Sequence, residues 1–489
     1  MSSSSVMEGD GWMESKFRQE WTPTILAASV VRLVGDDGWV DESGCTSFPE
    51  TLVHGMPYKH LVPALAVGLL SISFAQEAPT IGLHKIAQGF VAPVGLVPIP
   101  GTSDLVVIDQ AGVAYVISKD GKRAEKPLLD VRPKLTKLKG GFDERGLLGL
   151  AFHPKFAETA RVFAYYSAPL QDGAPSKWDH TSHVASYTVK DNVADLGSEK
   201  VLLKVDQPQF NHNSGRLLFG EDGNLFITIG DGGNSSDVGQ GHVEGGNAQG
   251  IEQLLGKVLR INVDEGETYA VPKDNPLVGK PGRDEIFAWG LRNPWGISLN
   301  PENKAELILA DVGQDRFAEV NVIKKGGNYG WHVREGFEGF NAEDKRALDV
   351  EKPKKDKHGN DLIDPVLTYK NLNHPKFKED SDARGISITG GDVYTGKAVS
   401  ALIGKYVFGD WSQTWAPGKG RLFVADRTGS KWSMTDLKVA DSPDGMLPNA
   451  YVTAFGKDAE GEMYVLTTGQ PGFGAELGAV HKIVPATKG

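Results

Sequence analysis

The sequence predicts an all-β protein, a six-bladed β-propeller of four-stranded antiparallel blades. Glycine supplies 60 of the 489 residues, well above its usual share of about 7%, and such an excess is typical of tight turns rather than helices. Convincing helical periodicity is scarce. A third observation is a repeat in which an apolar strand, a turn with Pro, Asp or Gly, and a second apolar strand follow one another. The repeat occurs at 94–116, 148–167, 216–230, 295–313, 391–410 and 451–469.

The spacing of these copies suits propeller blades with insertions, because each blade needs neighbours to cover its faces and a closed ring protects the sheet edges. The clearest copy runs from 217 to 231, where Asp222-Gly223 predicts a hairpin turn between two β-rich runs. A short helix is predicted at 247–255. The charged stretch 341–361 is poor in aliphatic residues and predicts an inserted surface loop.

Residues 56–75 have the order of a secretory signal peptide: a basic start, a short apolar run at 61–74 and small residues before the cleavage site. The run is shorter than the roughly 20 residues that span a bilayer, so a permanent anchor is less favoured, and a buried core helix is the other alternative. We expect 1–55, which holds the only cysteine, to be an upstream leader that is disordered or not translated. Residues 76–489 are then a single propeller domain, periplasmic or secreted, with no membrane span after signal cleavage.

The charge balance and the missing motifs exclude several classes of function. Lys and Arg total 52 against 63 Asp and Glu, a formal charge of −11, which repels phosphate backbones and argues against a nucleic-acid partner. The sequence has no HExxH, GxSxG or CxxC motif, so zinc proteolysis, serine hydrolysis by the common elbow and thiol redox chemistry have no support. The glycine-rich run 325–331 lacks the Gly-Lys-Ser/Thr ending of a nucleotide-binding loop.

A histidine and an aspartate one hairpin apart form the first candidate site. His212 stands between Asn211 and a second amide on a loop that enters a strand, and a histidine so placed can serve as a general base. Asp231 leaves the next strand at the same predicted rim, where its carboxylate can accept the other imidazole N–H and orient the base. The alternatives are a structural histidine and an aspartate that only caps a turn.

Two further segments carry groups suited to ligands. Arg292 and Asn293 stand side by side before Pro294, and a guanidinium fork beside an amide suits a planar ligand rich in carboxylates and carbonyls. The segment 311–315, followed by Glu319, clusters oxygen donors around a glycine, as a calcium loop needs. This segment has no EF-hand spacing and is equally consistent with a hairpin turn.

These motifs, taken in order, resemble the soluble quinoprotein glucose/sorbosone dehydrogenase family over about residues 83 to 484. The motifs that carry the resemblance are 144–149, the His212 segment, 230–233, 255–260, 292–294 and 326–331. The resemblance implies a six-bladed propeller with pyrroloquinoline quinone (PQQ) across its top and a calcium ion that polarises the quinone.

The resemblance also assigns roles at the reaction centre. His212 is similar to the base that takes the proton from the anomeric hydroxyl of a sugar while hydride passes to the quinone, and Asp231 to its orienting carboxylate. Arg292 and Asn293 resemble the pair that contacts the cofactor, with Arg292 also near the developing charge. Two residues are assigned to the substrate: Asn211, and Glu144, which stands where glucose-oxidising members carry a sugar-contacting glutamine.

The same resemblance implies two calcium sites. Gly313 and Gln314 match backbone carbonyls that ligate the cofactor's calcium. Glu319 and the Tyr329 carbonyl resemble part of a second, structural site.

The chain departs from the best-known glucose-oxidising members at two places. Gly409-Asp410-Trp411-Ser412 replaces a segment with a lysine, and 447–450 replaces a closely spaced arginine pair. Those cations neutralise the cofactor's carboxylates, and each charge-assisted bond is typically worth about 1.5–3 kcal/mol. The sequence around Arg384 instead resembles a broader branch that includes aldose dehydrogenases and the propeller of hedgehog-interacting proteins, and Arg384 is predicted to substitute for a missing cation.

Three functions follow as hypotheses. The leading one is an exported, PQQ- and calcium-dependent dehydrogenase that oxidises an aldose or related sugar and passes electrons to a soluble or membrane acceptor. The second is a non-catalytic propeller that binds a glycan or protein and has lost quinone binding. The third is a calcium-dependent lactonase, which needs several carboxylates around one ion.

Overall fold

The computed structural model describes residues 78–486, and these belong to one compact unit, Phe74–Gly489. The predicted leader at 1–55 and the signal peptide at 56–75 lie outside the described residues. Helix is nearly absent from the described part, and none of its helices is long and apolar enough to cross a membrane. The helices are one α-helical turn, Phe156–Thr159, and four 3₁₀ turns, Arg132–Lys134, Leu196–Ser198, Pro375–Phe377 and Ser400–Leu402.

Strands make up the rest of the regular structure between residues 78 and 486. The first fourteen are β1 (Thr80–Phe90), β2 (Pro93–Pro98), β3 (Leu105–Asp109), β4 (Val113–Ile117), β5 (Leu129–Asp130), β6 (Leu147–Phe152), β7 (Arg161–Ala168), β8 (His180–Lys190), β9 (Val193–Ala194), β10 (Lys200–Gln207), β11 (Leu217–Phe219), β12 (Leu225–Ile229), β13 (Lys257–Ile261) and β14 (Ile286–Trp289).

The remaining strands complete the chain to its described end. They are β15 (Pro294–Leu299), β16 (Leu307–Asp311), β17 (Phe317–Ile323), β18 (Arg334–Glu335), β19 (Glu338–Gly339), β20 (Leu367–Asn371), β21 (Ala383–Gly385), β22 (Ile388–Val393), β23 (Tyr406–Asp410), β24 (Lys419–Asp426), β25 (Ser433–Asp436), β26 (Lys438–Val439), β27 (Leu447–Pro448), β28 (Tyr451–Lys457), β29 (Met463–Thr468) and β30 (Gly478–Pro485).

The main strands form antiparallel sets of four, and one parallel pair, Leu96↔Gly456 between β2 and β28, joins the first and last sets in a single sheet. In order the sets are β2-β3-β4-β5, β6-β7-β8-β10, β11-β12-β13-β14, β15-β16-β17-β20, β22-β23-β24-β25 and β28-β29-β30-β1. The last set joins both ends of the described chain, because β1 pairs with β30 from Ile81↔Pro485 to Phe90↔Gly478. The predicted all-β, antiparallel class is therefore confirmed. Each of the six sequence repeats falls on the first two strands of one set, and the repeat at 94–116 also covers the third strand.

The sets succeed one another in space as they do in sequence. β2 contacts β6, β6 contacts β11, β12 contacts β15, β15 contacts β22, β22 contacts β28, and β28 returns to β2. Side chains alternate between the two faces of each strand. In β16, for example, Leu307 and Leu309 join an apolar cluster with the third set, whereas Ile308 and Ala310 join a cluster with the fifth. The core therefore lies between successive sets, and both faces of each set are buried.

Two local predictions have different outcomes. The segment 341–361 contains no helix or strand element, as predicted for an inserted loop. The predicted helix at 247–255 is wrong, because this segment forms turns. The Lys257 ammonium donates hydrogen bonds to the backbone carbonyls of Asn247, Ala248 and Leu255. A regular helix would compete for such carbonyls with its own backbone N–H groups.

Candidate active site

A cavity of about 320 Å³ is the candidate active site. It lies where the loops that precede the first strands of several sets converge. Glu144 comes from the loop before β6, His212 from the loop before β11, Arg292 and Asn293 from the loop before β15, and Ser387 from the loop before β22. The repeat therefore brings residues that are distant in sequence to one place.

An aspartate at the end of the second strand fixes these loops in three of the sets. Its carboxylate accepts the backbone N–H groups of the two residues before the first strand. The three cases are Asp109 with Val91 and Ala92, Asp311 with Arg292 and Asn293, and Asp410 with Ile386 and Ser387. Burial raises the pKa of each of these carboxyls, to about 7 for Asp311. The aspartate is thus a structural anchor of the repeat.

Asp231 occupies the corresponding position after β12 but has a different partner. Its Oδ1 atom lies 2.7 Å from His212 Nδ1 and accepts the N–H of Gly233 at 3.0 Å, while the Trp331 indole donates to Oδ2 at 2.8 Å. Burial alone would raise the pKa of the Asp231 carboxyl, but the charge and hydrogen bond of His212, with help from Arg292, hold the pKa below its usual value. Asp231 therefore orients an imidazole instead of a backbone loop.

His212 reaches this position through its backbone. It adopts a left-handed conformation with φ of 57°, and its N–H donates to Glu144 Oε2 at 2.7 Å rather than to Asp231. A Cβ on Gly230 would lie 2.0 Å from the His212 carbonyl oxygen, so only glycine permits this approach. With Nδ1 turned to Asp231, the Nε2 atom makes no hydrogen bond to a described residue, and the histidine lines the cavity.

Asp311 fixes Arg292 and Asn293 by accepting their backbone N–H groups. The Arg292 guanidinium donates to the Val312 carbonyl at 3.0 Å and to Gln314 Oε1 at 3.3 Å, and its buried Nε atom has no partner in the described part of the chain. Asn293 donates to Glu144 Oε2 at 3.1 Å. Glu144, predicted to contact substrate, thus has one oxygen that positions both His212 and Asn293.

The predicted calcium donors fall into two places. Gly313 and Gln314 line the cavity directly after β16. Glu319 and Tyr329 are buried elsewhere: Glu319 accepts the Gly336 N–H at 2.5 Å, and the Tyr329 hydroxyl donates to the Val322 carbonyl at 2.8 Å. Burial, with Asp311 nearby, raises the pKa of Glu319 to about 8. Between residues 78 and 486, no three His, Cys, Asp or Glu side chains converge as a metal centre, so the cluster that a lactonase needs is not found there.

Asn211 and Arg384, like Asp231, Glu319 and Tyr329, do not line the cavity. The Asn211 side-chain oxygen accepts the N–H of Asn234 at 3.2 Å. Arg384 lies on β21, lines a separate surface pocket and faces Asp436 at 4.0 Å. Arg384 thus lies away from the cavity in this structure, and its role as a cation for the cofactor stays a prediction.

The fifth and sixth sets give the cavity an uncharged wall. It contains Trp411 and Trp415, whose rings meet edge to face at 5.5 Å, together with Ser387, Thr453 and Thr468. Arg292 is the one lysine or arginine among the described residues that line the cavity. Charge and proton-transfer groups are thus concentrated on the second, third and fourth sets.

Sequence reasoning missed a buried network behind Asp231. Asn247 donates to the Asp231 carbonyl at 2.9 Å, and His242 Nδ1 lies 2.6 Å from Asp237 Oδ1 in a second, fully buried pair. Burial lowers the pKa of the nearby Lys257 ammonium to about 7. The sequence signal that could have indicated these residues is the run of polar residues after Asp231.

Comparison with known proteins agrees with this arrangement. The family model for glucose/sorbosone dehydrogenases matches residues 90–415. HIPL1 protein of Arabidopsis thaliana is 29% identical over 79% of this chain and 62% of its own length, and human Hedgehog-interacting protein is 26% identical over 82% and 52%. Quinoprotein glucose dehydrogenase B of Acinetobacter calcoaceticus is 30% identical over 43% of this chain and 46% of its own.

A solved structure shows the same fold at lower sequence similarity. The soluble aldose sugar dehydrogenase of Escherichia coli, in its apo form, aligns with a TM-score of 0.62 and 22% identity over 83% of this chain and all of that one. The chain spans only about half to three fifths of the two longer relatives from Arabidopsis and human. Because the family model covers well over half of the sequence, this chain belongs to the glucose/sorbosone dehydrogenase family.

Proposed function

We propose that this protein is an exported dehydrogenase that oxidises the anomeric hydroxyl of an aldose or related sugar with PQQ and calcium. The observation that carries the proposal is the buried His212–Asp231 pair, 2.7 Å apart, whose histidine lines one cavity together with Arg292. A free Nε2 atom on an oriented imidazole is the arrangement that a general base requires. The names of the dehydrogenase relatives support the same reaction class.

The residues of this chain divide the work of the reaction. His212 Nε2 would take the proton of the anomeric hydroxyl, and Asp231 would keep Nδ1 protonated and stabilise the imidazolium that forms. The Arg292 guanidinium would stabilise negative charge that develops near the sugar oxygen. Glu144 would hold the His212 backbone in place, which keeps Nε2 directed at the substrate.

The cavity fits a planar, anionic cofactor on its charged side. The Arg292 Nε atom is buried without a described partner, and tryptophan side chains line the cavity. Arg292 and Asn293 would hold carboxylate and carbonyl groups of PQQ, and the carbonyls of Gly313 and Gln314 would hold its calcium. When bound, the quinone supplies a two-electron acceptor for the hydride of the sugar.

The proposal extends to the architecture and the location of the protein. The six sets of four strands are proposed to be the six blades of a closed propeller, with β1 completing the last blade. A signal peptide at 56–75 would export the chain to the periplasm or medium, and a soluble or membrane acceptor would reoxidise the quinone. Glu319 and the Tyr329 carbonyl remain the proposed donors of a structural calcium.

A second candidate is a non-catalytic propeller that binds a glycan or protein. The uncharged wall around Trp411 favours it, because this wall offers no cation for the further carboxylates of the quinone. The likeness to Hedgehog-interacting protein points the same way. The retained His212–Asp231 pair favours the enzyme.

One titration separates the two candidates. Purified protein, stripped of metal and cofactor, is titrated with PQQ and calcium while the quinone absorbance is followed, and dye reduction is then measured with a panel of aldoses. We expect saturable quinone binding, weakened about 10- to 100-fold in Arg292→Met by loss of one charge-assisted contact. Quinone binding that never saturates, with no sugar-dependent dye reduction, would establish the binding propeller instead.

A further inference from the structure

A single arginine lies at the centre of the strand arrangement, below the candidate active site. The Arg216 Nε atom donates to the Trp295 carbonyl at 2.7 Å, and Nη1 donates to the Leu148 carbonyl at 2.9 Å and to the Val94 carbonyl. These carbonyls belong to the first strands of three other sets. Arg216 immediately precedes β11 and thus ties four sets together through one guanidinium.

Glycines surround this arginine. The first strands of the other five sets each place one at the centre, and these glycines are Gly95, Gly149, Gly296, Gly391 and Gly456. A Cβ on Gly296 would lie 2.7 Å from the Gly390 Cα atom, so the backbones meet too closely for side chains. The absence of side chains there leaves a central cavity of about 280 Å³ that Arg216 lines, and we call it the channel cavity.

The positive charge of Arg216 has no negative partner among residues 78–486. Its three acceptors are backbone carbonyls, and no carboxylate of the described chain lies within ion-pair distance. Two acids line the channel cavity, but Asp392 is bound to Lys457 at 2.9 Å and Asp458 to Lys482 at 3.3 Å. Burial lowers the pKa of Arg216 to about 10, which leaves it charged at neutral pH.

A buried charge without a partner is costly, and proteins neutralise such charges by pairing or by binding an ion. Arg216 is half-buried as a residue, and it lines the channel cavity. Its Nη2 atom donates to no described residue, so it is available to a ligand. Lys457, the other cationic residue that lines the cavity, already pairs with Asp392. One positive charge, that of Arg216, is therefore without an acidic partner there.

We propose that the channel cavity is an anion site in which Arg216 binds one small monovalent inorganic anion, chloride. The single unmatched charge selects a monovalent ion, and the backbone and apolar walls of Leu96, Leu218 and Phe455 favour a weakly hydrated one. Val94, Trp295 and Thr389 line both this cavity and the candidate active site, whereas His212 lines only the active site. We therefore assign the anion a structural role and no part in the sugar reaction.

The direct test uses bromide as a chloride substitute that X-ray diffraction can identify. Crystals of the wild-type protein are soaked in sodium bromide, and anomalous scattering at the bromine edge locates the ions. We expect one strong peak in the channel cavity within hydrogen-bond distance of Arg216. Bromide peaks confined to the protein surface would overturn the proposal.

Variants and solution measurements make the test independent of one crystal. Thermal unfolding is followed in sodium chloride and in sodium methanesulfonate, a larger monovalent anion, at equal ionic strength. The wild type and Arg216→Lys should melt at higher temperature in chloride, whereas Arg216→Met should lose this difference. If Arg216→Met does not fold, the wild-type bromide map and the Arg216→Lys melting curves still decide the question.

A matched control uses an arginine that already has acidic partners. Arg260 pairs with Asp222 and with Asp274 at 2.9 Å, so Arg260→Met should keep the chloride-specific increase of the wild type. An equal loss of the chloride effect in Arg260→Met would mean that chloride acts on overall stability and would overturn the site at Arg216.

Discussion

Asp231 and Asp410 occupy corresponding places in the third and fifth strand sets, yet their carboxylates hold different groups. Asp410 accepts the N–H groups of Ile386 and Ser387 and the hydroxyl of Tyr369 at 2.5 Å. Asp231 holds the His212 imidazole instead. Burial raises the pKa of Asp410, whereas at Asp231 the effect of burial is outweighed by the charge and hydrogen bond of His212 together with the charge of Arg292, which lower the pKa.

The difference teaches how a structural repeat acquires a reactive group. In the third set, Glu144 takes over the backbone N–H of His212, and the left-handed backbone turns the imidazole toward the released carboxylate. The backbone anchor is kept in the first, fourth and fifth sets, by Asp109, Asp311 and Asp410. The same comparison explains why the charged groups of the cavity lie on one side, since the Asp410 loop contributes Ser387 rather than a charged residue.

The largest expected effect comes from removing the base on the reactive side. His212→Ala should lower kcat for sugar-dependent dye reduction about 10²- to 10⁴-fold, the usual contribution of a general base, while quinone affinity changes little because Arg292 and Asn293 remain. His153→Ala is the matched control, because His153 also pairs with an aspartate, Asp264 at 3.1 Å, but lies outside the cavity. A similar loss of kcat in both variants would remove His212 from the reaction.

The second prediction compares the same substitution, aspartate to asparagine, at the two positions. Asp410→Asn should lower the free energy of unfolding by about 2–3 kcal/mol, since an amide cannot accept all the N–H and O–H groups that converge there. Activity per folded molecule should remain. Asp231→Asn should show the reverse, with most of its activity lost and a smaller change in denaturant midpoint. Equal destabilisation by both variants would contradict the separation of roles.

The two carboxylates should also respond to pH in opposite directions. Asp410 has a folded pKa above its ordinary value of 3.8, so its contribution to stability falls as the pH rises from that value toward the folded pKa. Asp231 has a folded pKa below 3.8, so its contribution is present above that value and is lost as the pH falls through the folded pKa. Each unit of pKa shift corresponds to about 1.4 kcal/mol.

Unfolding measured in denaturant from pH 3 to pH 6 tests this prediction. The stability difference between the wild type and Asp410→Asn should shrink as the pH rises, and the difference between the wild type and Asp231→Asn should shrink as the pH falls. Parallel curves for the two variants would show that the carboxylates share one environment.

A fourth prediction places charge on the uncharged wall. Ser387→Lys puts an ammonium group at the cavity. The Asp410 anchor is not disturbed, because Asp410 binds Ser387 through its backbone N–H and not through its side chain. PQQ affinity should rise about tenfold or more through one added charge-assisted contact. Ser387→Gln, of similar length but uncharged, is the control, and an equal gain in that variant would assign the effect to packing.

The sequence was informative where the repeat is local and less so where side chains from several sets meet. Strand patterns and turn residues located the first two strands of all six sets, and the order of motifs pointed to His212, Asp231 and Arg292. The anchoring role of Asp311 could not be deduced, because its partners are the backbone N–H groups of Arg292 and Asn293, and a backbone N–H is present at every residue except proline. The turns at 247–255 could not be predicted either. The local sequence favours a helix, but Lys257, which lies outside the segment, binds its backbone carbonyls.

The smallest effect is expected at Arg384, which lies on β21 beside the last strand of the fourth set. Its sequence position suggested a cation for the cofactor, but β21 directs the side chain to a surface pocket where it faces Asp436 at 4.0 Å. Arg384→Gln should therefore change PQQ affinity less than twofold, measured by the same absorbance titration as for Ser387→Lys.

The double variant Ser387→Lys, Arg384→Gln sharpens this last point. If Arg384 stays on its own surface, the double variant should bind PQQ as tightly as Ser387→Lys alone, because sites without shared partners are additive. A tenfold loss on removing Arg384 from either background would instead mean that the guanidinium leaves Asp436 and enters the cavity when the cofactor binds. The uncharged wall would then acquire its cation only in the complex, and the asymmetry of the cavity would belong to the ligand-free protein alone.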